Sequence, residues 1–161
     1  MLTRLVTRED AEYLFKWRND PHTIAMSLNS MPVTWDEHIN WLRDALNNEK
    51  KLLILCYLKN SAPVGFVRFD VYYHYAEVSI NLAPHCRAKG YAKKCLTAAL
   101  ERFKKEFQSS TLIKARIKVE NEASKRLFTG VGFLYLRTQN DIAFFTLDLS
   151  AYSKIQKSKN C

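Results

Sequence analysis

Apolar and polar positions alternate along this chain with two periods, and the switches between them fall at capping and turn residues. Glu77, Ser79 and Asn81 form a polar row against Val78, Ile80 and Leu82, which predicts a strand with one buried face. Pro84 removes a backbone donor and ends it. From Ala92 the period lengthens: Ala92, Cys95, Leu96, Ala99, Leu100, Phe103 and Phe107 recur at helical spacing, with Lys93, Lys94, Glu101, Arg102, Lys104 and Lys105 on the other face. Ile113, Ala115, Ile117 and Val119 then alternate with Lys114, Arg116 and Lys118 as a further strand. It runs into a short helix capped by Asn121 and ending near Gly130, with Asn121, Ser124 and Phe128 on one face. Gly132-Phe133 opens the next strand.

The remaining segments follow the same rules. Thr3 to Val6 reads as a strand, and Asp10 to Asn19 as a helix broken by Pro21. Thr34-Trp35-Asp36-Glu37 is a capping box that starts a helix running to about Leu46. Strands over Leu52 to Leu58 and Val64 to Tyr73 are joined by a turn at Asn60 to Pro63, and another begins at Ala76. Phe133 to Thr138 and Ile142 to Leu149 form a hairpin around Gln139-Asn140. The expected class is α/β: a mixed sheet of about six to seven strands, antiparallel hairpins joined by helical crossovers, and helices on both faces.

Composition narrows the partners. The chain of 161 residues suits one domain over residues 1–150, followed by a basic tail, 151–161, that loses apolar periodicity. The first residues lack a signal-peptide apolar run, and no stretch approaches the roughly 20 apolar residues of a membrane span, so a cytoplasmic location is expected. Cys56, Cys86, Cys95 and Cys161 have no metal-ligand spacing; free thiols and no metal are expected. A net charge of +9 would suit a nucleic-acid binder, but the basic residues are spread without an RNA or DNA motif. A phosphate-rich small molecule explains a basic cleft equally well, and no nucleic acid is expected.

Between the strand ending at Leu82 and the helix from Ala92 lies Arg87-Ala88-Lys89-Gly90-Tyr91-Ala92, an R-x-x-G-x-A loop. It sets a glycine where backbone can approach a ligand closely, and it feeds a helix start whose unpaired N–H groups attract anions. Downstream stands N-x-x-S-x-x-L-F-x-x-x-G-F, from Asn121 to Phe133. Together, at this separation and in these strand and helix contexts, the two blocks resemble the acetyl-CoA site of the GNAT N-acetyltransferase superfamily, in its element order over nearly the whole chain. The resemblance implies a gap between two central strands that admits acetyl-CoA. It implies that Arg87, Ala88, Lys89, Gly90, Tyr91 and Ala92 hold the pyrophosphate, with Arg87 or Lys89 adding charge. It also places Leu82, Ala83, Asn121, Ser124 and Phe128 along the pantetheine arm.

Trp17-Arg18-Asn19-Asp20-Pro21, Glu37-His38 with Trp41-Leu42, and Gly65-Phe66-Val67-Arg68-Phe69-Asp70 resemble a branch that acetylates nucleotide-linked aminosugars in the pseudaminic acid pathway. It borders the ribosomal-protein N-terminal acetyltransferases. The branch implies a UDP-linked 4-amino-4,6-dideoxy sugar as acceptor, in bacterial surface-glycan synthesis. A protein N-terminus as acceptor, or a non-catalytic acyl-CoA-binding domain, are the alternatives. Trp17, Arg18, His38, Trp41, Arg68 and Asp70 are the substrate-side candidates; the tryptophans also read as helix core.

Amide formation needs a neutral amine, an oxyanion donor and a thiolate that can leave. Glu77, on the polar row feeding the loop, is the first candidate base, and its structural alternative is an ion pair, for instance with Arg68. His74 and Asp70 are further options. By family geometry the oxyanion donor is a backbone N–H at Leu82 or Ala83. Many GNAT enzymes carry a tyrosine where Phe128 stands; without that phenol, Ser124 is the candidate acid, the alternatives being a thiolate that leaves with only water and the helix dipole to assist it, and a Ser124 that simply binds CoA or packs.

Overall fold

The computed structural model describes residues 1–60, 62–107, 112–150 and 152. The expected basic tail lies, apart from buried Tyr152, outside the described residues. In chain order come β1 (Leu2–Leu5), α1 (Ala11–Arg18), α2 (Pro21–Met26), α3 (Trp35–Leu46), β2 (Lys51–Tyr57), β3 (Pro63–Val71) and β4 (Ala76–Leu82). There follow α4 (Tyr91–Glu106), β5 (Leu112–Lys118), α5 (Glu122–Val131), β6 (Leu134–Gln139) and β7 (Ile142–Asp148). The strands form one seven-stranded mixed sheet in the order β1-β2-β3-β4-β5-β7-β6. Every neighbouring pair is antiparallel except β4 and β5.

Alternation assigns the two faces. Val67 and Phe69 of β3 are fully buried on the side of α4, where Phe69 stacks on Phe103 with centroids 4.4 Å apart. Registration carries Leu52, Ile54 and Cys56 of β2 to that side and turns Leu53 and Leu55 to the other, under α1 and α3. That explains why β2 is an unbroken apolar run: both of its faces are covered. The second face of β4, β5 and β7 carries Glu77, Ser79, Asn81, Lys114, Arg116 and Phe144. Exposed Ser79 and Arg116 show that this face is left open around them, whereas at its end Asn81 accepts from Thr23 Oγ1 of α2 at 3.2 Å.

Local signals account for most boundaries. The capping box forms as expected: Thr34 N–H donates to Glu37 Oε2 at 2.7 Å, and Glu37 N–H to Thr34 Oγ1 at 3.3 Å. Pro21 does not merely break a helix. It occupies the first turn of α2, where its missing N–H costs nothing, and the Asp20 carboxylate caps that helix by accepting from Thr23 N–H at 3.1 Å. Asp10 closes a short 3-10 turn, Arg8–Asp10, that leads directly into α1; its buried carboxylate accepts from both Arg4 Nη atoms at 2.7 Å and from Thr7 N–H at 2.8 Å. The β6–β7 turn falls on Asn140-Asp141 rather than Gln139-Asn140, because a tight hairpin needs positive φ at both central residues, here 50° and 57°.

Candidate active site

β4 and β5 pair only through Ala76↔Ile113 and Glu77↔Lys114, whereas β4 pairs with β3 over its whole length, and β5 likewise with β7. The two central strands therefore part beyond Glu77 and form a V that opens towards their C-terminal ends. Ala83 N–H donates to the Val64 carbonyl at 2.8 Å, so Ala83 is corrected as an oxyanion donor: its N–H is already used. The alternation of an antiparallel ladder then turns the Leu82 N–H the opposite way, into the V, where β5 provides no ladder partner.

At the mouth of the V the R-x-x-G-x-A loop winds into α4. Ala88 (φ 58°) and Gly90 (φ 74°) both lie in the left-handed region, and no side chain caps α4. Left-handed residues within a tight loop draw successive N–H groups into a concave anion site, which the unpaired N–H groups of the first helical turn extend. Lys89 is exposed at this rim. Arg87 departs from the sequence expectation: its guanidinium pairs with Asp20 at 2.7 Å and donates to Thr23 Oγ1 at 2.8 Å, tying the loop to α2. Burial disfavours the Asp20 charge, but the Thr23 N–H and Arg87 outweigh it and hold the carboxyl below the usual carboxylate range. Cys86 beside the loop is buried and its thiol is pushed up by desolvation, which leaves it unreactive.

On the β5 side, Asn121 caps α5 by accepting from Ser124 N–H at 3.0 Å. Ser124 is half-buried on the first turn of that helix. Phe128 does not line an open surface: it is 3% exposed and packs edge-on against Phe133, centroids 4.9 Å apart. The arrangement fits an acyl-CoA. A strand gap with an inward N–H, a left-handed anion loop and two helix N-termini converge on one end of the sheet.

On the open sheet face, at the vertex of the V, lies a cleft of about 360 Å³. Glu77 lines it, 21% exposed, and pairs with Arg116 at 2.7 Å, not with Arg68. Lys114, Arg137, Tyr72, Tyr75 and Phe144 join it from the neighbouring strands and the β3–β4 turn. Burial, followed by the charges of Glu77 and Asp70, pushes the Tyr72 phenol up. A second cleft of about 360 Å³ at the β1–β2 edge includes the Arg4–Asp10 pair and lies away from the V.

The six substrate-side candidates are placed elsewhere, each in a structural contact. Trp17 is 5% exposed in the core, and Trp41 packs against it. His38 is buried with Nε2–H donating to the Ala11 carbonyl at 2.9 Å, and desolvation lowers its pKa. Arg18 donates to the Asn29 and Met31 carbonyls at 3.0 and 2.8 Å, shaping the segment after α2. Arg68 pairs with Asp70 at 2.9 Å, and Asp70 also with Lys51. None of the six lines the cleft at the vertex. The basic row Lys114/Arg116 was the sequence signal for the residues that do; its neighbours from β6 and β7 depend on strand order. Among the described residues no His, Cys, Asp and Glu group could hold a metal ion, and no helix is long and apolar enough to cross a membrane.

Comparison with known proteins agrees with this geometry. Spermidine N-acetyltransferase from Vibrio cholerae, solved with CoA and spermine, superposes with a TM-score of 0.82 at 18% identity, covering 94% of this chain and 97% of that one. A Salmonella typhimurium structure with its cofactor acetyl-CoA gives 0.76 at 20% identity, covering 92% and 94%. Ribosomal-protein-alanine N-acetyltransferase from Brucella melitensis gives 0.76 at 19%, covering 92% and 100%. No curated protein matches the sequence. The acetyltransferase (GNAT) domain family matches residues 1–134, most of the chain and all of the V and its loop, so the chain belongs to that family of acetyl-CoA-dependent N-acetyltransferases.

Proposed function

We propose that this enzyme acetylates the primary amine of a nucleotide-linked aminosugar of the UDP-4-amino-4,6-dideoxy type. The observation that carries the reading is the charge of the cleft at the vertex, where the amine must meet the acetyl group. Three cations, Lys114, Arg116 and Arg137, face one carboxylate, Glu77, among aromatic rings. Such a lining suits an acceptor with an anionic group and repels a polyamine like the spermine held in the Vibrio structure.

Acetyl-CoA, when bound, supplies a thioester whose carbonyl carbon the amine attacks, so that a C–N bond forms, the C–S bond breaks and CoA thiol leaves. The chain's own residues prepare that exchange. Backbone N–H groups of residues 88–92 bind the pyrophosphate, with Lys89 adding charge. Leu82 N–H, turned into the V, donates to the carbonyl oxygen as negative charge develops there. Glu77, directly or through one water, takes the proton that the amine must lose. Ser124 gives a proton to the departing sulfur, and Asn121 fixes the first turn of α5 that carries it.

The test is a mass-spectrometric assay with acetyl-CoA and a panel of UDP-aminosugars, N-terminal peptides and polyamines. Acetylation of a UDP-aminosugar, and its reduction in Glu77→Gln with acetyl-CoA affinity unchanged and partial recovery at higher pH, is the expected result. Preferential acetylation of peptides or polyamines would overturn the acceptor class.

A further inference from the structure

The cleft cations differ in their partners. Arg116 is neutralised by Glu77 at 2.7 Å, but Lys114 and Arg137 have no carboxylate partner among the described residues. Lys114 Nζ lies 3.7 Å from the centroid of the Tyr75 ring, and the Arg137 guanidinium 4.9 Å from that of Phe144. A ring face orients a cation without consuming its hydrogen-bond donors, so both side chains retain charge and N–H groups for an anion. Register sets Arg116, Phe144 and Arg137 side by side across β5, β7 and β6, with Lys114 nearby on the same face of β5. At strand spacings of about 4.8 Å and a rise of about 3.3 Å per residue, the Lys114 and Arg137 Cα atoms are roughly 12 Å apart, a span that two long side chains close onto a single diphosphate. Beside them Tyr72 stacks on Tyr75 at 4.8 Å with an interplanar angle of 23°. Tyr75 is thus covered by Lys114 and by Tyr72, whereas Tyr72 is 48% exposed and has a ring surface to offer.

We infer that Lys114 and Arg137 form a diphosphate subsite and Tyr72 a stacking platform for a heterocyclic base, so that the cleft grips a nucleoside diphosphate while the amine end of the acceptor reaches Glu77. The assignment rests on the proposed acceptor class and adds the residues that would recognise its handle. Planar bases stack on exposed tyrosine with little regard to sequence of substituents, and charge-assisted bonds to phosphate supply the grip.

The test is calorimetric titration of UDP into the full chain held in saturating CoA, because CoA brings its own diphosphate and would otherwise leave UDP free to enter the loop site. UDP is expected to bind the CoA-loaded protein, and uridine to bind roughly tenfold or more weakly for want of the charge-assisted bonds. Lys114→Gln and Arg137→Gln should each raise the UDP Kd about tenfold, Tyr72→Ala should raise it by about fivefold or more, and CoA affinity should be unchanged. Arg137→Lys, which keeps the charge, should retain most of the binding. Displacement of UDP by CoA, or an unchanged Kd in both glutamine variants, would overturn the subsite. UDP binding without acetylation of any UDP-aminosugar would refute the acceptor class and leave the subsite standing; acetylation without UDP binding would do the reverse.

Discussion

Arg87 is the basic residue that opens the R-x-x-G-x-A loop, yet its guanidinium faces Asp20 and Thr23 on α2, at 2.7 and 2.8 Å. It should therefore act on the cofactor site by positioning the loop, and a double-mutant cycle separates that from direct contact. Asp20→Asn is the right partner change, since asparagine is as good an N-cap as aspartate and keeps the bond from Thr23 N–H while removing the ion pair. Arg87 and Asp20 side chains are 28% and 18% exposed. Their pairing lies between an exposed bridge, worth about 0.2–1 kcal/mol, and a buried one, whose breaking costs about 3–5 kcal/mol, so a coupling of about 1–2 kcal/mol is expected. Urea unfolding of wild type, Asp20→Asn, Arg87→Gln and the double variant should show each single change losing about that much and the double losing little more. In calorimetry, acetyl-CoA affinity should fall by a similar factor in both single variants, because each releases the loop from α2. A coupling below about 0.4 kcal/mol, with affinity lost only in Arg87→Gln, would refute the reasoning and return Arg87 to the pyrophosphate.

Two further outcomes follow from the geometry. Gly90→Val should weaken acetyl-CoA binding and lower stability by about 1–2 kcal/mol through strain, since φ is 74° while an added Cβ meets nothing within 4 Å; Gly90→Asn, which tolerates that conformation, should retain most of both in calorimetry and urea melts. Asp10→Asn should cost about 2 kcal/mol at pH 7, discounted because Arg4 is 44% exposed. Burial opposes the Asp10 charge, but Arg4 and Thr7 outweigh it and depress the carboxyl. Its contribution is therefore complete above the unfolded value of about 3.9 and is lost as pH falls through the folded one, so in urea melts the gap between wild type and variant should narrow as pH falls below about 3.9 and close only below the folded value.

The sheet was legible because its strands announce themselves by period, and the anion loop because glycine and a helix start stand together. What the sequence does not state is which strands lie side by side. Lys114 and Arg116 are visible as a polar row, but Phe144 and Arg137 join them only because β7 inserts between β5 and β6. Motif residues of the N-terminal half went the other way. Arg18, His38, Arg68 and Asp70 look available to a ligand in a linear reading, and the fold gives each a nearby carbonyl or charge. A polar residue in a motif is as readily a brace for the segment that carries it. Alternation fixed Glu77 on the polar row, and only the pairing of β4 with β5 puts that residue at the vertex of the V.

Phe128 brings the same question to the leaving group. Alone on its helix, a phenylalanine in place of the usual phenol looks like a lost acid, and restoring the hydroxyl looks like a gain. The packing argues otherwise. Phe128 is 3% exposed and edge-on to Phe133, so a hydroxyl at its para position would be desolvated among core side chains. An unpaired buried hydroxyl costs about 1–3 kcal/mol, which predicts that Phe128→Tyr loses stability by about that amount and gains no turnover. Ser124, one turn earlier, is half-buried on the first turn of α5, and Ser124→Ala should lower turnover where thiolate departure limits the rate. The pair of variants is informative together in urea melts and steady-state assays. A Phe128→Tyr enzyme that is faster and no less stable would show that the hydroxyl reaches the sulfur, and the acid would then belong to position 128 and not to Ser124.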